Sequence, residues 1–439
     1  MNRLVYNLLL HFFVAPFLAA YYLPGILVRG KYNRSISGKL GRLPDTFFPE
    51  KLSRPKIWFH AVSVGEVVAL GPVVKSLKHM MPESSLIIST GTETGQDRAR
   101  STIGDADDFL YLPLDFPEFV NPVVRRICPD LFVLMETELW PNLIHCLKTN
   151  GAGIVLANGR ISDRSFPRYR RLRKFFAPTL EKIDLFLMAS ETDASRIQEM
   201  GAASVRVHVA GNTKYDAIPG NTSPAVEFEM RRLLSIEPGT RVLVAGSTHP
   251  GEHELVLDAF LELSRRFSDL ILVLVPRHTE KTAAIISAMA DRGMEPPFLR
   301  SSADTGEMRE GRKVVVVDRM GELFGIYSLA SVVFMGGSLV PLGGQNILEP
   351  AAWGKIVLFG PSMEDFRDAR DLLVRCGAGI QISSVRDLVS HVSDALLHPQ
   401  DAAARGALGR EAIMRNVGSA GKIAECLVEL LGKSHNIER

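Results

Sequence analysis

From Lys56 onward the chain repeats one pattern: an uninterrupted apolar run, a small or polar residue, then a stretch with helical spacing. "KIWFHAV", "SLIIST", "DFLYLPL", "LFVLMET", "GIVLANG", "LFLMAS" and "VRVHVAG" are such runs. A strand buried on both faces reads as continuous apolar sequence, and the intervening stretches have the length of the crossover helices that parallel neighbours require. The pattern predicts a doubly wound α/β sheet. It breaks at "AIPGNTSPAVEFE", whose Pro, Gly, Asn, Ser and Thr read as a linker. It then resumes with "RVLVAGSTHPGEHELVLDAFLELSRRF", "LILVLVPRH", "KVVVVDRMGELFGIYSLA", "SVVFMGGS", "KIVLFGP" and "GAGIQIS". A chain of 439 residues exceeds what one core usually serves. Two α/β domains are therefore expected, 31–217 and 218–439, with the carboxyl ends of their strands lining a cleft between them.

Ahead of this alternation, Leu4 to Val28 contain no Asp, Glu, Lys or Arg. Residues 1–30 are accordingly expected to form an apolar membrane-anchoring helix. Arg29, Lys31, Arg34, Lys39 and Arg42 follow it and only Arg3 precedes it, which places the bulk of the chain on the cytoplasmic side. A cleaved signal peptide has its basic charge before the apolar run and is disfavoured. Asn7, His11, Pro16 and Pro24 weaken a spanning helix, so a helix lying in the interface stays open as the second form of anchor.

Charge gives no global field, with 51 Lys+Arg against 49 Asp+Glu, so an anionic partner has to be met by local clusters. One such cluster is "RSFPRYRRLRKFF", where Arg164, Arg168, Arg170, Arg171, Arg173 and Lys174 interleave with aromatic residues. Together with the apolar N-terminus it suits an anionic membrane surface or phosphorylated lipid; nucleic acid and a plain solvated helix are the alternatives. The four cysteines are far apart and form no CxxC pair, against both a disulfide framework and a zinc ribbon.

Chemistry is expected at the glycine-rich strand ends. In "HAVSVGEV" Gly65 permits a tight turn and Glu66 falls in the first turn of the next helix, where the macrodipole favours its ionised form. It is either a helix-start residue or a general base. In "LVAGSTHPGEHE" the Gly246, Ser247 and Thr248 step from strand to helix suits a phosphate. His249 and His253 lack a third ligand nearby, so no metal is expected there. Arg277 and His278 end another strand and offer donors to an anion. In "FMGGSLVPLGGQNILEPAAWGK" two glycine pairs bracket a loop before Asn346 and Glu349, and a glutamate so placed suits the two hydroxyls of a ribose. "GDADDF" contains a DxD pattern but reads as an acidic turn.

Taken in order, "GKLGRLP", "HAVSVGEV", "ETELWPN", "NGRISDRS", "GNTKYD", "GSTHPGEHE", "VPRH", "MGEL" and "MGGSLVPLGGQNILEPA" resemble the 3-deoxy-D-manno-octulosonic acid (Kdo) transferases of lipopolysaccharide synthesis. These are membrane-associated glycosyltransferases of the GT-B architecture, with two Rossmann-like domains. The resemblance implies inverting, metal-independent transfer of Kdo from CMP-Kdo to the tetraacyl lipid A precursor, at the cytoplasmic face of the inner membrane, without a cofactor or nucleic acid. It makes Glu66 the base. It gives the donor to Ser247, Thr248, Arg277, Gly337, Ser338, Asn346 and Glu349, and places Glu136, Glu138, Arg160 and Lys214 at the cleft or acceptor. Gln345 stands where such families carry histidine, and Gly159 where they usually carry alanine. The rival functions are another lipid-directed GT-B transferase using a UDP-sugar and a membrane-tethered binding protein without catalysis.

Overall fold

A computed structural model describes residues 3–18, 20, 34–163, 165–218 and 222–437. The chain divides into two compact units: unit 1, residues 1–217 with 416–439, and unit 2, residues 218–415.

Unit 1 is a seven-stranded sheet in which every pair is parallel. Its strands are β1 (Lys56–Ala61), β2 (Ser85–Thr90), β3 (Asp108–Tyr111), β4 (Leu131–Met135), β5 (Gly153–Gly159), β6 (Leu185–Met188) and β7 (Val207–Val209). The order β3-β2-β1-β4-β5-β6-β7 reverses between β1 and β4, the switch point at which such sheets bind ligands. The twofold alternation along β1 feeds two cores. Trp58 faces Phe132, Ile154 and Phe186 under the helices Pro117–Ile127 and Pro141–Thr149. Ile57, Phe59 and Ala61 face the opposite layer, formed by the helices Val64–Met80 and Ser419–Ile437.

That last helix corrects the expected 218–439 domain. Ile423, Ala424, Leu427 and Leu431 are buried against Val67, Leu70, Val74 and Leu77 of the helix Val64–Met80. Each large side chain so buried stabilises by about 1.5–3 kcal/mol. Asp216 fixes the entry, accepting from the Gly418 and Ala420 amides at 2.6 and 3.2 Å. An amphipathic pattern states that a helix has a buried face, not which core receives it.

Unit 2 repeats the design with β8 (Val242–Thr248), β9 (Ile271–Pro276), β10 (Phe298–Leu299), β11 (Val314–Val316), β12 (Val332–Met335), β13 (Val357–Phe359) and β14 (Gly379–Gln381). They are ordered β10-β11-β9-β8-β12-β13-β14, again all parallel.

The N-terminal segment is described only in part. Its described part begins with a helix, Arg3–Leu9, continued by a π-turn at Leu10–Val14, and residues 1, 2, 19 and 21–30 of the expected anchor lie outside the described residues. Among the described residues no helix is long and apolar enough to cross a membrane. The polar residues that interrupt the apolar run are contacts with unit 1. Tyr6 donates to Asp115 (2.9 Å), the Asn7 side chain accepts from Asn142 (2.7 Å), and His11 meets Glu118 (2.8 Å). Leu4, Phe12, Phe13 and Phe17 remain exposed.

Candidate active site

In unit 1 the chain leaves β1 through Val62 and Ser63 and enters the helix Val64–Met80. Ser63 caps that helix, accepting from the Glu66 amide at 3.5 Å. The Glu66 carboxylate turns back and accepts from the Val62 amide (2.7 Å) and the Ser63 hydroxyl (3.1 Å). This is a variant of the capping box, reaching one residue further back than usual. Gly65 lies within the helix, and a Cβ there would meet only Ser63 Oγ at 3.9 Å. The turn does not require glycine; its absent side chain leaves open space beside Glu66.

The expected lowering of the Glu66 pKa is overturned. Only 8 % of Glu66 is exposed, and burial pushes its carboxyl up to about 7. The negative charges of Glu136 and Glu138 add to the rise, while the bonds from Val62 and Ser63 oppose it. Desolvation outweighs the helix start because the group is nearly dry. Glu138 is itself raised to about 6, by burial and then by Glu136.

Glu136 follows β4 with φ 55°, and Asn158, near the end of neighbouring β5, has φ 52°. Left-handed non-glycine backbone at adjacent strand ends is strain of the kind that collects at functional sites. Lys214 Nζ lies 3.2 Å from Glu136 Oε1, an ion pair without the alignment of a directed hydrogen bond. Asn158 Oδ1 accepts from the Thr213 amide at 3.0 Å, which holds the "GNTKYD" turn against β5. Asn158 Nδ2, Thr213 Oγ1 and Trp140 Nε1 are buried with no hydrogen-bond partner among the described residues, so each calls for a water or a ligand as its partner. Arg160 accepts on its carbonyl from Thr137 Oγ1. Sequence reasoning missed Asn158 and Thr213; the signal was a polar residue closing the apolar run "GIVLANG".

The basic cluster forms the short helices Phe166–Arg171 and Arg173–Leu180; Arg164 lies outside the described residues. Arg168, Arg170, Arg171, Arg173 and Lys174 are exposed, while Phe166, Tyr169 and Phe176 pack onto the core. The interleaving of basic and aromatic residues is thus helical two-sidedness. Tyr6 packs on Phe175 with ring centroids 5.7 Å apart, which joins this region to the N-terminal helix.

In unit 2, β8 slips register against β9 between Gly246 and Thr248, and Ser247 takes φ 52° there. Gly336 is obligatory beside it, since a Cβ would stand 2.4 Å from Ser247 O. Thr248 Oγ1 is buried without a partner among the described residues. The organiser of these loops is Glu252, fully buried in the first turn of the helix Glu252–Arg266. Its carboxylate accepts from the amides of His249 (3.0 Å), Gly337 (2.7 Å), Ser338 (3.0 Å) and Leu339 (2.9 Å). The sequence reading placed a ligand anion on this strand-to-helix step and missed Glu252, although "HPGEHE" displays it.

The amides of Gly337 and Ser338, both expected at the donor, are taken by this carboxylate. The Ser338 hydroxyl is also engaged: it donates to Met335 O and accepts from the Gly360 amide at 2.8 Å. Both residues shape the loop rather than offer free groups. Gly344 N donates to Gly337 O (2.8 Å), pinning the two glycine pairs together. Gly343 and Gly344 have φ 82° and 83°, and a Cβ on either would stand 2.5 Å from Asp365 or Met363.

The remaining donor candidates come together. The Arg277 amide donates to Thr248 O (2.9 Å), fixing "VPRH" beside the β8 bulge. His249 and His278 stack edge to face at 5.7 Å. His249 is pushed below the usual histidine range by burial, with His278 and Arg277 adding to the shift and Glu252 opposing it. Gln345 and His249 converge on Gly337, both within 3.5 Å of where its Cβ would be. Asn346 Nδ2 donates to Glu349 Oε1 (3.0 Å), and Asn346 Oδ1 accepts from Leu348 N (3.2 Å), which together start the short helix Leu348–Ala352. Among the described residues no group of three or more His, Cys, Asp or Glu could hold a metal.

Residues 34–217 match the family described as 3-deoxy-D-manno-octulosonic-acid transferase (kdotransferase). A protein of that name from Haemophilus influenzae is 33% identical over 381 residues, covering 86% of this chain and 88% of its own. One from Chlamydophila psittaci is 30% identical over 392 residues, covering 87% of each. Among solved structures, a UDP-GlcNAc 2-epimerase from Neisseria meningitidis bound to UDP-GlcNAc superposes with TM-score 0.55 at 14% identity. It covers 86% of this chain and all of its own, a likeness of fold.

Proposed function

The chain belongs to the Kdo transferase family, and on that premise we propose that it transfers Kdo from CMP-Kdo to the tetraacyl lipid A precursor, with inversion and without a metal in the transfer step. The observation that carries this reading is the Glu66 carboxyl, buried, without a cationic partner among the described residues and titrating at about 7. A general base works best when its pKa lies near the operating pH. As the acceptor hydroxyl oxygen attacks the anomeric carbon of Kdo, its proton passes to Glu66. The bond from that carbon to the phosphate oxygen breaks, and the electron pair leaves with CMP on the opposite face.

The leaving monophosphate calls for cationic and hydrogen-bonding groups, which Arg277, His278, Gln345, Ser247 and Thr248 supply at the strand ends of unit 2. Asn346 and Glu349 then take the ribose. In unit 1, Lys214 beside Glu136 and the open donors of Asn158 and Trp140 suit acceptor oxygens. Exposed Phe12, Phe13 and Phe17 and the exposed cations of Phe166–Arg171 and Arg173–Leu180 belong to connected elements. They suit an anionic inner-membrane surface on its cytoplasmic face.

The deciding experiment incubates the full chain with lipid acceptor and either CMP-Kdo or UDP-sugars, with products read by mass spectrometry. Kdo adducts from CMP-Kdo alone are expected, and Glu66→Gln should abolish them while leaving CMP-Kdo binding intact. Adducts only from UDP-sugars, or none from any donor, would refute the proposal.

A further inference from the structure

Unit 1 carries a hollow of about 370 Å³ that none of the roles above uses. It is framed by the "GKLGRLP" turn, by the exposed face of the helix Glu93–Thr102 and by β3. The turn is pressed onto its neighbours by its glycines. A Cβ on Gly38 would stand 2.8 Å from Tyr111 Cβ, and one on Gly41, at φ 80°, would stand 2.6 Å from Phe119 O. Close approach brings Arg34 and Arg42 to the hollow opposite Arg100 and Tyr111.

These cations are differently engaged. Arg34 is oriented by Asp97 at 2.7 Å and by Glu93 at 3.9 Å. Arg100 lies over the Phe109 ring at 5.1 Å and donates weakly to Phe109 O at 3.4 Å. The Arg42 guanidinium has no hydrogen bond or ion pair among the described residues; only its backbone amide is bound, to Ser37 O. Three guanidinium groups line the hollow with one carboxylate, Asp97; Glu93 stands near Arg34 and Asp108 near Arg100, which leaves Arg42 as the guanidinium without a carboxylate partner among the described residues.

It is also tied to the base. Gln96 lines the hollow, accepts on its side-chain oxygen from Thr90 Oγ1 (2.7 Å) and donates its backbone N–H to Thr92 O (3.0 Å). Thr92 Oγ1 donates to Val62 O (3.3 Å), and the Val62 amide donates to Glu66 (2.7 Å). The hollow is thus linked through Gln96 and Thr92 to the turn that holds Glu66.

We propose that this hollow is a subsite for a phosphate monoester of the acceptor, gripped by Arg42 and Arg100 with Arg34 at its rim. The assignment rests on the reading of unit 1 as the acceptor domain. Guanidinium forks match phosphate oxygens in charge and geometry, and the volume admits a phosphorylated sugar end. The subsite fixes the acceptor's register so that one hydroxyl is offered to the base.

The test uses the full chain and the paired substitution Arg42→Ala with Arg100→Ala, checked for an unchanged melting profile. Transfer is measured with the bisphosphorylated acceptor and with acceptors lacking one or the other phosphate. The pair should lose about 10–100-fold in kcat/KM toward the phosphorylated acceptor, mostly through KM. It should lose little toward one of the dephosphorylated acceptors and leave the KM for CMP-Kdo unchanged. Arg42→Lys should recover part of the loss. Binding of glucosamine phosphate and of inorganic phosphate, followed by NMR at low salt without turnover, should weaken in the same variants. An equal loss toward all acceptors, or unaltered phosphate binding, overturns the subsite. If the unaltered chain transfers nothing, the functional reading fails, and the binding measurement alone decides the hollow.

Discussion

Replacing Glu66 by Gln separates its two duties, capping a helix and taking a proton. The amide keeps an oxygen for the Val62 N–H and can donate to Ser63 Oγ, so the turn survives. What changes is the ionisation. The folded carboxyl titrates at about 7 against an ordinary 4.5, so the unfolded chain releases this proton first. The stability that protonated Glu66 contributes is therefore fully present below about pH 4.5 and is lost as pH rises toward about 7. At 1.36 kcal/mol per pH unit the interval corresponds to about 3 kcal/mol. Gln cannot ionise and escapes that loss. By calorimetry, the transition of unit 1 should rise about 6–12 °C over wild type at about pH 8.5 and differ little at about pH 5. Turnover should fall about 100-fold or more above about pH 7, where wild-type Glu66 is ionised, and by less at lower pH, because wild-type kcat itself climbs through about pH 7 as the base ionises. An equal thermal gain at both pH values would refute the reasoning. A lower transition for the variant at the higher pH would show instead that the anion is stabilised by its cap.

Three further outcomes follow from the packing. Glu252→Ala strips a buried acceptor from the amides of His249, Gly337, Ser338 and Leu339, so it should destabilise unit 2 by about 3–5 kcal/mol. Hydrogen exchange at 337–339 reports it, and retained protection there would contradict the role. Ser338→Ala removes the bridge between Met335 O and the Gly360 amide; it should cost about 1–3 kcal/mol by denaturant melt with no direct loss of a donor contact. Leu427→Ala opens a cavity against the helix Val64–Met80, costing unit 1 about 2–4 kcal/mol, whereas an effect confined to the melting of unit 2 would contradict the assignment of that helix.

The alternation that begins at Lys56 announces both sheets because a strand buried on two faces leaves no room for polar punctuation. β10, two residues at Phe298–Leu299, is too short to show a period. At the sites, sequence shows where a side chain enters but not how much water reaches it. Glu66 illustrates this: its helix-start position points to a low pKa, while burial drives it up and the charges of Glu136 and Glu138, distant in sequence, add to the rise. Glu252 and Ser338 illustrate another limit. Their stretches stand out as polar loops between apolar runs, yet which polar groups satisfy one another and which stay open is decided only when β8 and β12 lie side by side. The cations of the "GKLGRLP" hollow are legible singly, and their meeting with Arg100 is a product of the turn's glycine contacts.

The helix Ser419–Ile437 has a consequence for synthesis. Because it completes the core of unit 1 while unit 2 is encoded between, unit 1 emerges first from the ribosome but is finished last. Domains usually fold as they appear. Here the layer that carries Glu66 waits, with Leu70, Val74 and Leu77 uncovered, until translation has passed Leu431, by which time the whole of unit 2 has been made. A chain released before Asn416 is therefore a species with one complete unit and one open hydrophobic face.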